Sequence, residues 1–198
     1  MPRIALRILC AVLGILFPFI AYWAVSSRSG IVMAAVLAVL GLSNLAFAGK
    51  KGTAGTGVLV GVADLVLAAV FLISGNFLAV KLYPLAVTGC FLSVFAMSLA
   101  PGRTPIIEKI ASYTVKESDR DDFFRKYCRG VTVAWCLFFV VNGLVSLATA
   151  IWGSDETWTV YNGIISYFLI GMMFTVEYVI RIILRKRRKS GTDDTEKL

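Results

Sequence analysis

Long apolar runs alternate with short polar breaks along this chain. The runs are Ile4–Val25, Ile31–Ala48, Val58–Ile73, Ala79–Leu99, Val131–Trp152 and Trp158–Leu184. Their lengths cluster around the roughly 17–25 residues that a helix needs to cross the ~30 Å hydrocarbon core of a bilayer. The breaks are Ser26–Gly30, Gly49–Gly57, Ser74–Leu78, Ala100–Gly130 and Gly153–Thr157, rich in Gly and Ser or in charge, as turns require. A membrane β-barrel would instead show short alternating segments of about ten residues, and none is present. The pattern predicts an all-α fold: a polytopic membrane protein of about six transmembrane helices in three hairpins, with short amphipathic cytoplasmic helices between spans four and five. Lys81 and Pro84 stand near the start of the fourth span, so its helix is expected to begin after them, with Lys81 snorkelling outward.

Composition agrees. Hydrophobic residues make up 58% of the 198 and charged residues 16%, against about 45–50% and about 25% in soluble domains. Residues 1–184 are expected to form a single integral membrane domain with a connector at 100–130, and 185–198 a basic, then polar, disordered tail. Arg3 and Arg7 before the first run imitate a signal peptide. The run is too long for a signal's apolar region and contains Pro18, so it is read as a retained first span.

Charge orients the spans. Eighteen of the twenty Lys and Arg fall in one set of segments: Arg3 and Arg7, Lys50 and Lys51, the 100–130 stretch, and the region from Arg181 onward. Only Arg28 and Lys81 fall in the other. The positive-inside rule then puts both termini and the connector in the cytoplasm. The net charge of +8 points to anionic lipid headgroups rather than nucleic acid, because the basic residues flank spans instead of lining a soluble face.

The connector carries helical signals. Thr104-Pro105 supplies an N-cap and a first helical residue, ahead of Ile106, Ile107, Ile110 and Ala111 at helical spacing. Ser118-Asp119-Arg120-Asp121 has the form of a capping box. Behind it Phe123, Phe124, Tyr127 and Cys128 form an apolar stripe, with Arg125, Lys126 and Arg129 elsewhere around the helix. Those three basic residues are candidate contacts for a partner or a lipid surface; the plainer reading is a surface linker between hairpins.

Ionisable residues inside a membrane cost roughly 2.5–3.5 kcal/mol on insertion scales and invite a functional reading. Asp64 lies about 9 Å in from Val58, and Glu177 about as far from Leu184. With Asn44 and Arg181 they define a candidate intramembrane polar layer, in which Glu177 and Arg181 can pair at i,i+4. The alternative to a proton, cation or headgroup site is an internal salt bridge with interhelical hydrogen bonds. Asn142, Asn162 and Tyr161 read as interhelical glue, and Trp152 and Trp158 as interfacial anchors around the outer loop. A faint likeness at an offset of 78 pairs Asp64 with Asn142, Gly75 with Gly153 and Tyr83 with Tyr161, a weak sign of duplication.

Catalytic chemistry finds little purchase. There is no His for a triad, a metal or acid–base work, and no phosphate-binding or dinucleotide fingerprint. The cysteines Cys10, Cys90, Cys128 and Cys136 form no CxxC pair. No enzyme activity, metal or cofactor is expected.

Thr104-Pro105-Ile106-Ile107-Glu108, Ala134-Trp135-x-Leu137-Phe138-Phe139 with Gly143, and Glu156-Thr157-Trp158 resemble the bacterial intracellular septation protein A family over about the C-terminal 85 residues. Tyr161-Asn162-Gly163 and Phe174-x-x-Glu177-Tyr178-x-x-Arg181 are closer to an uncharacterised inner-membrane group associated with aryl-polyene and fatty-acid biosynthesis gene clusters. The first family usually has five spans, where six fit here. The resemblance implies the inner membrane of a Gram-negative bacterium and an envelope-lipid context. It transfers no catalytic residue. The expected function is a non-enzymatic scaffold or accessory protein, with acyl-carrier or acyltransferase components as soluble partners. The alternative is a small transporter or lipid-translocating protein, acting as an oligomer, that uses the Asp/Glu layer.

Overall fold

The computed structural model describes residues 12, 16–24, 30–48, 54–113, 115 and 120–195. Expectations resting on Arg3, Arg7, Cys10, Arg28, Lys50, Lys51 and Ser118 lie outside these residues. Among the described residues every regular element is helical: α1 (16–24), α2 (Gly30–Ala48), α3 (Ala54–Ser74), α4 (Leu78–Lys81), α5 (Tyr83–Ser98), α6 (Ile106–Ala111), α7 (Asp122–Trp152), α8 (Asp155–Val160) and α9 (Ser166–Thr195), with a π-helical turn, Tyr161–Ile165, between the last two. Helices satisfy their own backbone groups, which hydrocarbon surroundings demand. Among the described residues four segments are long and apolar enough to cross a membrane: Gly57–Ser74, Leu78–Ser98, Asp122–Trp152 and Asp155–Ile183; Ala34–Ala46 is a shorter apolar stretch.

Helix α2 packs on α3, α5 on α3 and α7, and the α8–π–α9 rod on α7. The first contact is the closest. A Cβ built on Gly41 would meet Gly61 O at 3.0 Å and Leu65 Cγ at 2.8 Å, and one on Gly61 would meet Gly41 O at 2.9 Å and Leu45 Cγ at 2.9 Å. Because 41 faces 65 while 45 faces 61, the two helices run antiparallel. Gly61 therefore lies directly opposite Gly41 at the crossing.

Helix α3 ends at Gly75, whose φ of +61° reverses the chain, a conformation open to glycine at little cost. Ser74 Oγ accepts from Asn76 N at 3.1 Å, and Asn76 Oδ1 from Leu78 N at 2.9 Å, so α4 starts at once. The apolar helix expected as the fourth span therefore begins at Leu78, before Lys81 and not after Pro84. Pro84 sits in the first turn of α5, where its missing N–H costs nothing.

Among the described residues two side-chain clusters stand out, one buried and one partly exposed. Phe17, Leu37, Phe71, Val80, Tyr83 and Trp158 belong to one, with the Phe17 and Tyr83 rings 3.9 Å apart. The other is aromatic: Trp135 meets Phe174 at 4.7 Å and Phe139 at 5.6 Å, and Phe95 meets Phe139 edge-on at 5.2 Å.

Several local expectations change. Pro105, not Thr104, is the N-cap of α6, and the Ile106 N–H donates instead to Ser98 Oγ at 3.0 Å. Asp121 caps α7, accepting from Phe124 N at 2.9 Å. The second connector helix is no separate element: Asp122 to Trp152 is one continuous helix of 31 residues, because no proline interrupts it. Glu156-Thr157-Trp158 is helical, capped by Ser154. Helix α9 runs through the basic stretch to Thr195; Lys and Arg are good helix formers.

Candidate functional site

The predicted polar layer resolves into two pairs. Asn44 on α2 and Asp64 on α3 each stand three residues after the glycine of the close crossing, and Asn44 Nδ2 donates to Asp64 Oδ2 at 3.0 Å. Asp64 is fully buried, and its Oδ1 has no hydrogen-bond partner among the described residues. On α9, Arg181 Nε donates to Glu177 Oε1 at 3.0 Å, with a second contact from Arg181 Nη2 to the same oxygen. Tyr127 OH reaches the Glu177 carbonyl at 3.4 Å. No hydrogen bond or ion pair among the described residues joins the two pairs.

A larger polar cluster links α7 to the π turn. Tyr161 OH donates to Asn142 Oδ1 at 3.0 Å and Ser166 Oγ to the same oxygen at 3.1 Å. One turn away, Ser146 Oγ donates to Asn162 Oδ1 at 2.7 Å, and Asn162 Nδ2 donates to the Trp158 carbonyl at 2.9 Å. A side-chain amide joining the backbone ladder is a recognised cause of irregular winding, and π turns recur at functional sites. Asn142, Ser146, Asn162 and Ser166 are all buried. The residue types and the i,i+4 spacings 142/146, 158/162 and 162/166 were readable in sequence. Their convergence was not, because it depends on how α7 and α9 face each other.

Beside this cluster, α7 and α9 leave a groove of about 260 Å³, lined by Phe138, Asn142, Tyr161, Met172, Met173 and Val176 among others.

Lys81, expected to snorkel outward, is paired. Its Nζ meets Asp155 Oδ1 at 2.6 Å and its side chain is only 14% exposed. Trp158, expected at the interface, is 1% exposed, whereas Trp152 is 81% exposed. Burial follows from the Trp158 indole N–H donating to the Lys81 carbonyl, which draws the ring inward.

The three connector basics each have an internal contact. Arg125 Nε lies 4.0 Å from Glu108 Oε1, Lys126 Nζ 2.9 Å from Asp122 Oδ2, and Arg129 Nη2 donates to the Leu99 carbonyl at 3.1 Å. Arg125 and Lys126 remain 66% and 78% exposed. Exposed ion pairs are weak, typically ~0–1 kcal/mol, so both side chains are available to a partner. Arg120, which sequence reasoning passed over, closes the connector by donating to the Ser112 and Val115 carbonyls at 2.6 and 2.9 Å. Cys128 is 1% exposed, which favours packing over reactivity. No cluster of three or more metal-ligating side chains occurs among the described residues.

No family model, curated protein or solved structure matches this chain. The septation-protein resemblance therefore rests on its motif residues alone.

Proposed function

We propose that this protein is a non-enzymatic inner-membrane scaffold or accessory factor of cell-envelope or aryl-polyene-type lipid biogenesis. In this reading six helices span the membrane as three hairpins, and both termini and the connector face the cytoplasm. The observation that carries it is the length of α7. Its 31 residues extend about 46 Å at 1.5 Å each, well beyond a ~30 Å hydrocarbon core. About ten residues at its start then project from the bilayer as a rigid stem bearing Arg125, Lys126 and Arg129. A rigid basic stem braced by α6 suits an acidic soluble partner, for which acyl-carrier or acyltransferase components are the candidates, or anionic headgroups at its base. Cross-linking with mass spectrometry tests this. Charge reversal at the three positions should remove soluble biosynthetic partners while insertion and topology stay unchanged. Reversal that disturbs only insertion would defeat the docking role. Reporter fusions at each loop test the orientation.

A second reading draws on one specific observation, the unpartnered Asp64 oxygen. It makes the protein a small transporter or lipid-translocating protein, acting as an oligomer, that uses its intramembrane acids. Flux in proteoliposomes that depends on a pH gradient and disappears in Asp64→Asn would favour it. Flux unaffected by that change would remove it.

A further inference from the structure

The groove between α7 and α9 contains an unspent hydrogen-bond donor. Asn142 is only 6% exposed, and its Oδ1 faces two hydroxyls, Tyr161 OH and Ser166 Oγ. Both O–H groups donate to that oxygen, which leaves the Nδ2 end of the amide turned away from them. The Nδ2 end has no hydrogen bond among the described residues, yet it is not among the sealed, unsatisfied atoms of the interior. Asn142 lines the groove, which places its side-chain amide at the groove wall.

The rest of the wall is apolar, with Phe138 on α7 and Met172, Met173 and Val176 on α9. Thioether side chains adapt their shape to irregular guests. An apolar cleft with one or two placed polar groups is the usual make-up of a small-molecule site. At about 260 Å³ the space lies just under the common range of ~300–1,000 Å³, so it takes one chain or a small ring system, not a two-chain lipid.

Depth narrows the occupant. Asn142 stands ten residues before the end of α7 at Trp152, about 15 Å along the helix, which is half of a ~30 Å core. Phospholipid ester groups lie near the interface and do not present an acceptor at that depth. We propose that the α7–α9 groove is a binding site for a neutral, lipid-soluble carbonyl compound. Its oxygen accepts a hydrogen bond from Asn142 Nδ2, and its apolar body lies along Met172, Met173 and Val176. The site rests on the geometry of α7 and α9 and is independent of the docking role of the connector.

Benzophenone is a suitable probe, being a lipid-soluble diaryl ketone that inserts into nearby C–H bonds on irradiation. The full chain in lipid nanodiscs is irradiated with it and adducts are mapped by mass spectrometry. Adducts should concentrate on Met172 and Met173 and saturate with probe. A long-chain methyl ketone should compete them away and the matching alkane should not. Val176→Trp, which fills the groove and leaves the Asn142 contacts intact, should abolish them. Asn142→Leu should weaken binding roughly two- to tenfold, the equivalent of one hydrogen bond. Adducts spread evenly over the exposed faces of α7 and α9 would overturn the proposal, as would an alkane that competes as well as the ketone. The competition is read on the unmodified protein, so neither variant has to fold for the test to decide.

Discussion

The indole N–H of Trp158 donates to the backbone oxygen of Lys81 at 3.1 Å, across 77 positions of sequence. This bond ties α8 to the junction of α4 and α5, and the Lys81 ammonium reinforces it by meeting Asp155 at 2.6 Å. A lysine that reads as a snorkelling side chain is thus the hub joining two helical pairs. Trp158→Phe keeps the ring and removes the donor, so it should cost about 0.5–1.5 kcal/mol. Trp158→Ala also empties a fully packed position and should cost about 3–5 kcal/mol. Unfolding curves in micelles would rank the two; equal losses would mean that the donor, removed in both, carries the effect and that burial of the ring adds nothing.

The α2–α3 crossing makes a paired prediction about glycine. Gly61→Ala places a methyl 2.9 Å from the Gly41 carbonyl oxygen, and overpacking of this kind costs about 1–3 kcal/mol. Gly89→Ala in α5 meets nothing within 4 Å and should be neutral, or stabilising by up to ~1 kcal/mol through helix propensity. Melting temperatures of the two variants should move in opposite directions or differ clearly in size.

Asn44 and Asp64 should couple strongly. Asn44→Leu strips the one hydrogen bond from a buried carboxyl and should destabilise by about 1–3 kcal/mol, whereas replacing both partners with Leu should recover much of that loss. A double-mutant cycle measures the coupling. Additive losses would show that the pair is not an energetic unit.

Capping gives a local test. Asp121→Ala removes the acceptor of the Phe124 N–H and should cost about 0.5–2 kcal/mol. Hydrogen exchange should speed up at Phe124 and its neighbours while the middle of α7 stays protected. Unchanged exchange at Phe124 would return the cap to another residue.

Hydrophobic runs alone determined that the chain is helical and where most helices lie, because a run of eighteen or more apolar residues has few other ways to satisfy its backbone. Sequence spacing likewise anticipated the Glu177–Arg181 pair, since i,i+4 neighbours meet on any helix. Contacts between helices were another matter. Asn44 meeting Asp64 depends on which faces α2 and α3 present at the Gly41–Gly61 crossing, and the burial of Trp158 on where α8 docks. The Asn142–Tyr161–Ser166 cluster and the groove beside it depend on the register of α7 against α9. Register is set by side-chain packing between segments far apart in sequence. A hydropathy pattern that is apolar on every face, as in these spans, does not encode which face turns inward. The tertiary structure alone decided that.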